Sequence, residues 1–145
     1  MQLPAPNTDI LAQRSELLAQ IRAGLPDGTV IEDAVELKAY ECDGLAAYQC
    51  PPLAVILPRS TKEVATALKL CHDLRLPVVP RGSGTSLAGG ALPTADSVVI
   101  GVSRMTRVLE FSPDDRLVRV EAGRTNLSVT GAIEADGFFY APDPS

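Results

Sequence analysis

The sequence predicts an α+β fold, with a small parallel β-α-β part followed by the start of an antiparallel sheet. Two apolar runs, at residues 53–57 and 78–79, flank a segment with helical periodicity, which is typical of a parallel crossover. Residues 108–111 are followed by a turn at Pro113 and then by residues 117–121, which alternate on a period of two, and this order is typical of an antiparallel hairpin. The chain has 145 residues, 46% of them hydrophobic, which is enough to bury a core.

The first predicted domain, residues 1–51, is expected to be a helical extension. A helix is predicted over residues 8–23, with Thr8 or Asp9 as its N-cap and Gly24 at its end. Apolar residues recur at helical spacing in this stretch, namely Ile10, Leu11, Leu17, Leu18 and Ile21.

The second predicted domain, residues 52–145, begins with the β-α-β part. The run 53–57 is predicted to be a strand buried on both faces and ended by Pro58, because it is continuously apolar. Residues 78–79 and 98–100 are predicted to be two further short strands. A strand, a helix and a strand in succession imply a right-handed parallel crossover.

The helix of this part has a recognisable start. Ser60 and Glu63 have the spacing of a capping box, in which the hydroxyl and the carboxylate each bind an otherwise unpaired backbone N–H. The helix is predicted to end at Leu74. One face is expected to carry the apolar residues Val64, Leu68 and Cys71.

After the hairpin, a weak helix is predicted from a Thr125 cap to about Ala135, with Gly137 at its end. Residues 138–140 are expected to start another strand. Because a loop rich in proline follows that strand, we expect the chain to be the N-terminal part of a longer protein.

Composition and charge exclude several classes of function. The net charge of −5, without clustered Lys and Arg, argues against nucleic-acid binding. No apolar run approaches the roughly 20 residues of a membrane span, and no signal-peptide pattern is present, so a soluble cytoplasmic domain is expected. Three cysteines without C-x-x-C spacing and a single histidine predict reduced, partly buried thiols, with neither a disulfide framework nor a metal site.

The stretch VVPRGSGTSLAGG, residues 78–90, places four glycines in nine positions behind a short apolar run. Glycines allow several backbone N–H groups to converge on an anion such as phosphate. The stretch is neither a P-loop, since Gly90 and Ala91 stand where lysine and a hydroxyl belong, nor a Rossmann fingerprint, since Leu87 stands where the third glycine belongs. Spacing leaves two interpretations open: a phosphate loop without a helix, or a flexible surface connection without a ligand.

The segments PRGSGTSLAGGALP and YAPDPS together resemble the FAD-binding domain of the vanillyl-alcohol oxidase and p-cresol methylhydroxylase (PCMH) type. Within that class, the chain is most similar to the family of FAD-linked glycolate oxidase subunits D and D-lactate dehydrogenases. The similarity extends from about residue 40 to residue 145. It implies a PCMH-type fold, of which this chain would be the N-terminal part.

The resemblance implies a set of cofactor-binding residues. The loop from Arg81 would hold the FAD diphosphate through backbone N–H groups and hydroxyls, and the last four residues would begin a second segment against the cofactor. No histidine lies between residues 80 and 90, so FAD is expected to be bound non-covalently. No catalytic residue and no metal ligand is assigned. The implied cofactor-binding residues are Arg81, Gly82, Ser83, Gly84, Thr85, Ser86, Leu87, Gly90, Pro142, Asp143, Pro144 and Ser145.

The resemblance also implies an activity. A small 2-hydroxy acid of the glycolate or D-lactate type would transfer a hydride to the flavin and become a 2-oxo acid. Further oxidase subunits that carry flavin and iron–sulfur centres are implied as partners, and these would associate the protein with the inner face of the membrane. The alternatives are a flavin-free nucleotide- or phosphate-binding module and an inactive truncated product.

Five polar residues are further candidates for a role in a site or have a structural explanation. His72 is expected to be a half-exposed helix residue, and Arg124 to lie on the surface. Arg81 is expected either to bridge to the FAD phosphates or to pair with an acid that orders the loop. Glu41 and Asp43 are expected to be solvated or capping carboxylates without a catalytic role.

Overall fold

The computed structural model describes residues 4–142, and the chain divides into two compact units, Met1–Val102 and Ser103–Ser145. The sequence-based boundary between residues 51 and 52 stays a prediction. Each unit is described by itself below.

The first unit begins with two short helices, α1 (Thr8–Ala12) and α2 (Arg14–Ala23), where the sequence predicted one. The N-cap is Asn7, not Thr8 or Asp9, because Asn7 has extended backbone angles and its side chain accepts from the Asp9 N–H at 2.9 Å. Gly24 ends α2 as predicted, and a Cβ there would come within 2.5 Å of Leu70 Cδ1.

Four strands form the sheet of the first unit, in the spatial order β1-β2-β4-β3. They are β1 (Val30–Ile31), β2 (Ala54–Ile56), β3 (Val78–Arg81) and β4 (Val98–Gly101). Strand β4 pairs in parallel with both β2 and β3, so the predicted parallel arrangement is confirmed, with β4 between the two strands of the β-α-β part. The antiparallel edge strand β1 was not predicted, because two residues are too short to show a period.

The core lies on both faces of this sheet. On one face, Ile56 and Val98 pack with Ile21 of α2 and Cys71. On the other face, Val55 and Val99 pack with residues that include Leu37 of the short helix α3 (Ala34–Leu37). All three residues of β2 are fully buried, as the continuous apolar run predicted.

Helix α4 (Thr61–Asp73) covers one face of the sheet, and its predicted capping box is present. Ser60 Oγ accepts from the Glu63 N–H at 3.2 Å, and the Glu63 carboxylate accepts from the Arg59 N–H at 2.8 Å. The predicted apolar face was wrong at Leu68, which is 47% exposed. The buried residues of α4 are Ala67 and Cys71, and Leu68 lies about 100° around the helix from Ala67.

The second unit consists of a hairpin and a helix. Strands β5 (Val108–Ser112) and β6 (Leu117–Val120) pair antiparallel as predicted, with an irregularity between Val108 and Glu110. Helix α5 (Asn126–Ile133) follows. Thr125 caps it by accepting from the Ser128 N–H at 3.4 Å, and after a turn of 3-10 helix Gly137 ends it at φ +82.

The strand expected from residue 138 is absent from the described residues, since 138–142 have no regular structure. A strand needs a partner for its backbone groups, and here those groups bind side chains of α5 instead. The Tyr140 N–H donates to Thr130 Oγ1 at 3.2 Å, and Asn126 Nδ2 donates to the Pro142 carbonyl at 3.2 Å. Phe138 packs edge-to-face on Phe111 with ring centroids 5.6 Å apart.

Three chemical features complete the description of residues 4–142. Cys42, Cys50 and Cys71 carry free thiols. No group of three His, Cys, Asp or Glu side chains in these residues is arranged to hold a metal ion. Within the same residues, no helix has the length and apolar character needed to span a membrane.

Candidate functional site

The glycine loop, residues 82–90, follows the carboxyl end of β3. Ligands of open sheets with parallel strands bind outside this end of the strands. In the described chain no helix intervenes between the loop and β4. An anion bound here would therefore be held by the loop itself and not by a helix N-terminus.

The backbone N–H groups at the start of the glycine loop are unpaired. Among the described residues, none of the N–H groups of residues 82–87 donates a hydrogen bond to another protein atom. The first loop amide with a partner is that of Ala88, which donates to Ser86 Oγ at 3.2 Å. Most of these residues are exposed, so their N–H groups are open to solvent. Successive backbone N–H groups in a turn can form an anion site, and this run offers donors of the kind that a diphosphate requires.

The glycines of the loop fall into two kinds. Gly84 and Gly89 have φ of +72 and +75, a conformation that favours glycine over residues with a side chain. Gly82 and Gly90 lie outside that region, and a Cβ added at either would have no atom of the described residues within 4 Å. Within the part of the chain that the structure describes, neither backbone strain nor a close contact accounts for glycine at these two positions.

Arg81, at the entrance of the loop, is bound to backbone carbonyls. Its Nη1 donates to the Cys42 carbonyl at 2.7 Å and to the Ala91 carbonyl at 3.5 Å, and its guanidinium carbon lies 5.6 Å from the centre of the Tyr40 ring. The expectation of an acid partner was wrong: none of the ion pairs of the described residues includes Arg81. Contact with a phosphate stays a prediction.

Asp43, which the sequence predicted only as a solvated or capping carboxylate, contacts the end of the glycine loop. Its side chain is buried, with the residue 5% exposed, and it accepts from the Leu45 N–H at 2.9 Å and from the Ala91 N–H at 3.4 Å. The bond to Leu45 is local and matches the expected capping role. The bond to Ala91 joins residues 48 positions apart, which no pattern in a single sequence indicates.

Gly44, next to Asp43, also lies close to the glycine loop. A Cβ at Gly44 would come within 2.6 Å of the Thr85 carbonyl oxygen and 2.9 Å of the Ser86 carbonyl oxygen. The loop therefore approaches Gly44 closely enough to exclude a side chain there.

The remaining predicted site residues are placed differently. Ser83, Thr85, Ser86 and Leu87 are exposed, and Leu87 is 75% exposed. Pro142 belongs to the second unit, where its carbonyl accepts from Asn126. The predictions for Asp143, Pro144 and Ser145 lie outside the described residues.

The other polar candidates have structural partners or are solvated. His72 is exposed on α4. Arg124, expected on the surface, is half-buried in the second unit and donates to the Thr106 and Ser128 carbonyls at 2.7 and 2.6 Å. Burial raises the pKa of the Cys71 thiol to about 11, so this side chain is part of the core and not a nucleophile.

A comparison with protein families identifies residues 52–145 as an FAD binding domain. Among curated proteins, the chain is 41% identical over 132 residues to glycolate oxidase subunit GlcD of Escherichia coli strain K12, a match that covers 91% of this chain and 26% of that protein. It is 28% identical over 130 residues to a D-lactate dehydrogenase of Anaerostipes hadrus, covering 89% of this chain and 27% of that protein. The chain thus spans about a quarter of the length of these relatives.

Solved structures share the fold. The chain superposes on alkyldihydroxyacetonephosphate synthase with a TM-score of 0.80 at 18% identity, covering 99% of this chain and 28% of that one. For p-cresol methylhydroxylase the TM-score is 0.76 at 18% identity, covering 92% and 26%. The predicted α+β fold of the PCMH type is thereby confirmed. Because the FAD binding domain model matches residues 52–145, more than half of the chain, this protein belongs to that family of FAD-binding proteins.

Proposed function

We propose that the glycine loop holds the diphosphate of a non-covalently bound FAD, and that the protein oxidises a small 2-hydroxy acid. The observation that carries the first part is the run of unpaired N–H groups at residues 82–87. Each N–H bond to a phosphate oxygen is charge-assisted, so several together form a strong anion site. The exposed hydroxyls of Ser83, Thr85 and Ser86 are additional donors within reach of the same region.

The loop also fits the cofactor sterically. A diphosphate can approach the backbone closely only where no Cβ intervenes, and Gly82 and Gly90 leave open space at their Cβ positions. The net charge of the chain is −5, so the anion would be stabilised by these local donors and not by the overall field of the chain. We propose that Gly82 and Gly90 form part of the surface that contacts the cofactor, and that residues 142–145 begin a second contact segment.

The activity is proposed from the named relatives. Glycolate and D-lactate, named in the two relatives above, are 2-hydroxy acids. So is D-2-hydroxyglutarate, which is in the name of a probable mitochondrial dehydrogenase of Oryza sativa subsp. indica that is 30% identical to this chain over 129 residues. FAD, when bound, supplies the acceptor for a hydride from the substrate. The role proposed for the residues of this chain is to bind and orient FAD, and none of them is assigned to proton transfer. The word subunit in the name of the glycolate oxidase relative supports further oxidase subunits as partners.

The cofactor part is tested on the full-length protein that carries this sequence. We expect it to purify with a flavin spectrum, or to acquire one when FAD is added, and acid denaturation should release the flavin into the supernatant. A colourless protein that does not bind added FAD would contradict the proposal. Equal affinity for ADP and FAD, without a flavin spectrum in the purified protein, would favour a nucleotide-binding module instead.

The substrate part is tested on the FAD-loaded protein without oxygen. Glycolate, D-lactate and D-2-hydroxyglutarate are added separately, and at least one is expected to bleach the flavin absorbance. Dithionite serves as the control for a reducible flavin. A flavin that dithionite bleaches, and that these acids and other small 2-hydroxy acids leave oxidised, would overturn the proposed activity.

A further inference from the structure

We infer that residues 40–44, which precede the matched FAD binding domain, form a brace that fixes the shape of the glycine loop, with Asp43 and Arg81 as positioning residues. The inference rests on the proposed function in that the loop is taken to bind FAD. The brace residues lie outside the family match of 52–145, whereas Arg81 and the loop lie inside it. The brace is defined here as Tyr40, Glu41, Cys42, Asp43 and Gly44.

The brace holds the far end of the loop through Asp43. Both carboxylate oxygens are used, one by the Leu45 N–H within the same segment and the other by the Ala91 N–H directly after the loop. Burying a carboxylate disfavours folding unless hydrogen bonds compensate. Because Asp43 is buried, its two hydrogen bonds to backbone N–H groups are needed to offset the cost of burial. One of them connects the brace to Ala91.

The brace holds the near end of the loop through Arg81. The guanidinium lies near the Tyr40 ring, and its Nη1 donates to the carbonyls of both Cys42 and Ala91. A Cβ at Gly84 would lie 2.3 Å from Arg81 Nη2, so the loop backbone passes directly over this side chain. Arg81 thus connects the brace to the start, the middle and the end of the loop.

The middle of the loop contacts the brace as well. The carbonyl oxygens of Thr85 and Ser86 approach Gly44 so closely that the backbone of the brace forms a wall against them. These carbonyls face the brace, and the N–H groups of residues 82–87 have no partner among the described residues. A loop that is already ordered loses less conformational entropy when it binds a ligand, so the brace raises affinity without touching the cofactor.

The test compares Asp43→Asn with Asp96→Asn in the full-length protein, with FAD as the probe. Asp96 is the matched control, because it is also a buried acid bound to a backbone N–H, that of Asn7 at 2.8 Å, but it precedes β4 at the opposite end of the parallel strands. Removing an acidic group near an anion site should strengthen binding if only electrostatics mattered. The brace predicts the opposite sign: an FAD dissociation constant raised about tenfold in Asp43→Asn, with little change in Asp96→Asn.

Two further measurements test the brace if Asp43→Asn does not fold or if the unaltered protein binds no FAD. If Asp43→Asn does not fold, Gly44→Ala replaces it, since its added Cβ would push the loop at an exposed position, and the same loss of affinity is expected. If Asp43→Asn, or Gly44→Ala in its place, binds FAD as tightly as the unaltered protein does, the inferred role of the brace is overturned. If the unaltered protein binds no FAD, the proposed function fails. The brace is then judged by hydrogen exchange at Ala91, which should be at least about tenfold faster in Asp43→Asn than in Asp96→Asn; equal rates would contradict it.

Discussion

Gly84 lies at φ +72 and directly over the Arg81 guanidinium, whereas Gly82, two residues earlier, has no positive φ and, among residues 4–142, no atom within 4 Å of its Cβ position. The sequence pattern does not distinguish the two glycines, but their backbone angles and surroundings differ. Gly84 is required by the loop itself, because a side chain there would be strained and would displace Arg81. Neither constraint applies at Gly82, where contact with the proposed cofactor is the one that would disfavour a side chain.

This difference gives a prediction at the residue scale. Gly84→Ala should lower the free energy of unfolding by about 1–2 kcal/mol, the cost of a left-handed conformation at a residue with a Cβ. Gly82→Ala should change that free energy by less than about 0.5 kcal/mol, as surface substitutions do, yet weaken FAD binding about tenfold. Urea unfolding and FAD titration measure the two effects. Gly82→Ala protein with unchanged FAD affinity would show that no cofactor contacts that position.

A second prediction at this scale concerns pH. In the second unit, Glu121 is buried and bound by the Arg107 side chain at 2.7 Å and by the Arg107 N–H at 2.8 Å. These hydrogen bonds, that of the side chain first, lower the pKa of Glu121 below its ordinary value of 4.5. A lowered folded-state pKa stabilises the fold above pH 4.5, and that stabilisation is lost as the pH falls through the lower value.

Glu121→Gln isolates this contribution. The unfolding free energy of the variant should be lower than that of the unaltered protein at pH 7, and the difference between the two should shrink as the pH falls below 4.5. Urea unfolding at several pH values, followed by circular dichroism, measures it. A difference that stays constant from pH 7 to pH 3 would contradict the assignment.

Among the helices and strands, the predictions that the structure confirms depend on short stretches of sequence. The capping box at Ser60, the buried strand β2 and the hairpin of β5 and β6 were all predicted, because each depends on residues close in the sequence. The predictions that were wrong depend on tertiary contacts, which the sequence does not show. Leu68 is exposed because the sheet selects Ala67 and Cys71 as the buried face of α4, and residues 138–140 form no strand because their backbone groups bind α5.

The cap of α4 gives a prediction for an element. Ser60→Ala removes the acceptor of the Glu63 N–H and should lower the free energy of unfolding by about 1 kcal/mol. Thr66→Ala is the control, since its hydroxyl also binds backbone, the Lys62 carbonyl at 3.0 Å, but inside the helix, where that carbonyl already has a helical partner. It should be neutral or slightly stabilising. Equal losses in the two variants, measured by urea unfolding, would mean that Ser60 does not act as a cap.

For the whole molecule, the sequence revealed the glycine loop but not what orders it. The loop is continuous, so its composition and its family resemblance could be recognised. The brace, residues 40–44, contacts Arg81 and Ala91, which lie dozens of positions away in the sequence. Only the folded chain shows that Asp43 and Arg81 share Ala91 as a partner. The carbonyl partners of Arg81 also needed the structure, since backbone carbonyl groups carry no signature in the sequence.

The central claim is that the N–H groups of residues 82–87 bind the FAD diphosphate. Hydrogen exchange of the full-length protein with and without FAD tests it most directly, because these amides have no partner among the described residues and should exchange rapidly in the free protein. We predict that saturating FAD slows exchange in residues 82–87 by at least about tenfold. FAD that binds while these amides continue to exchange at the free rate would contradict the account.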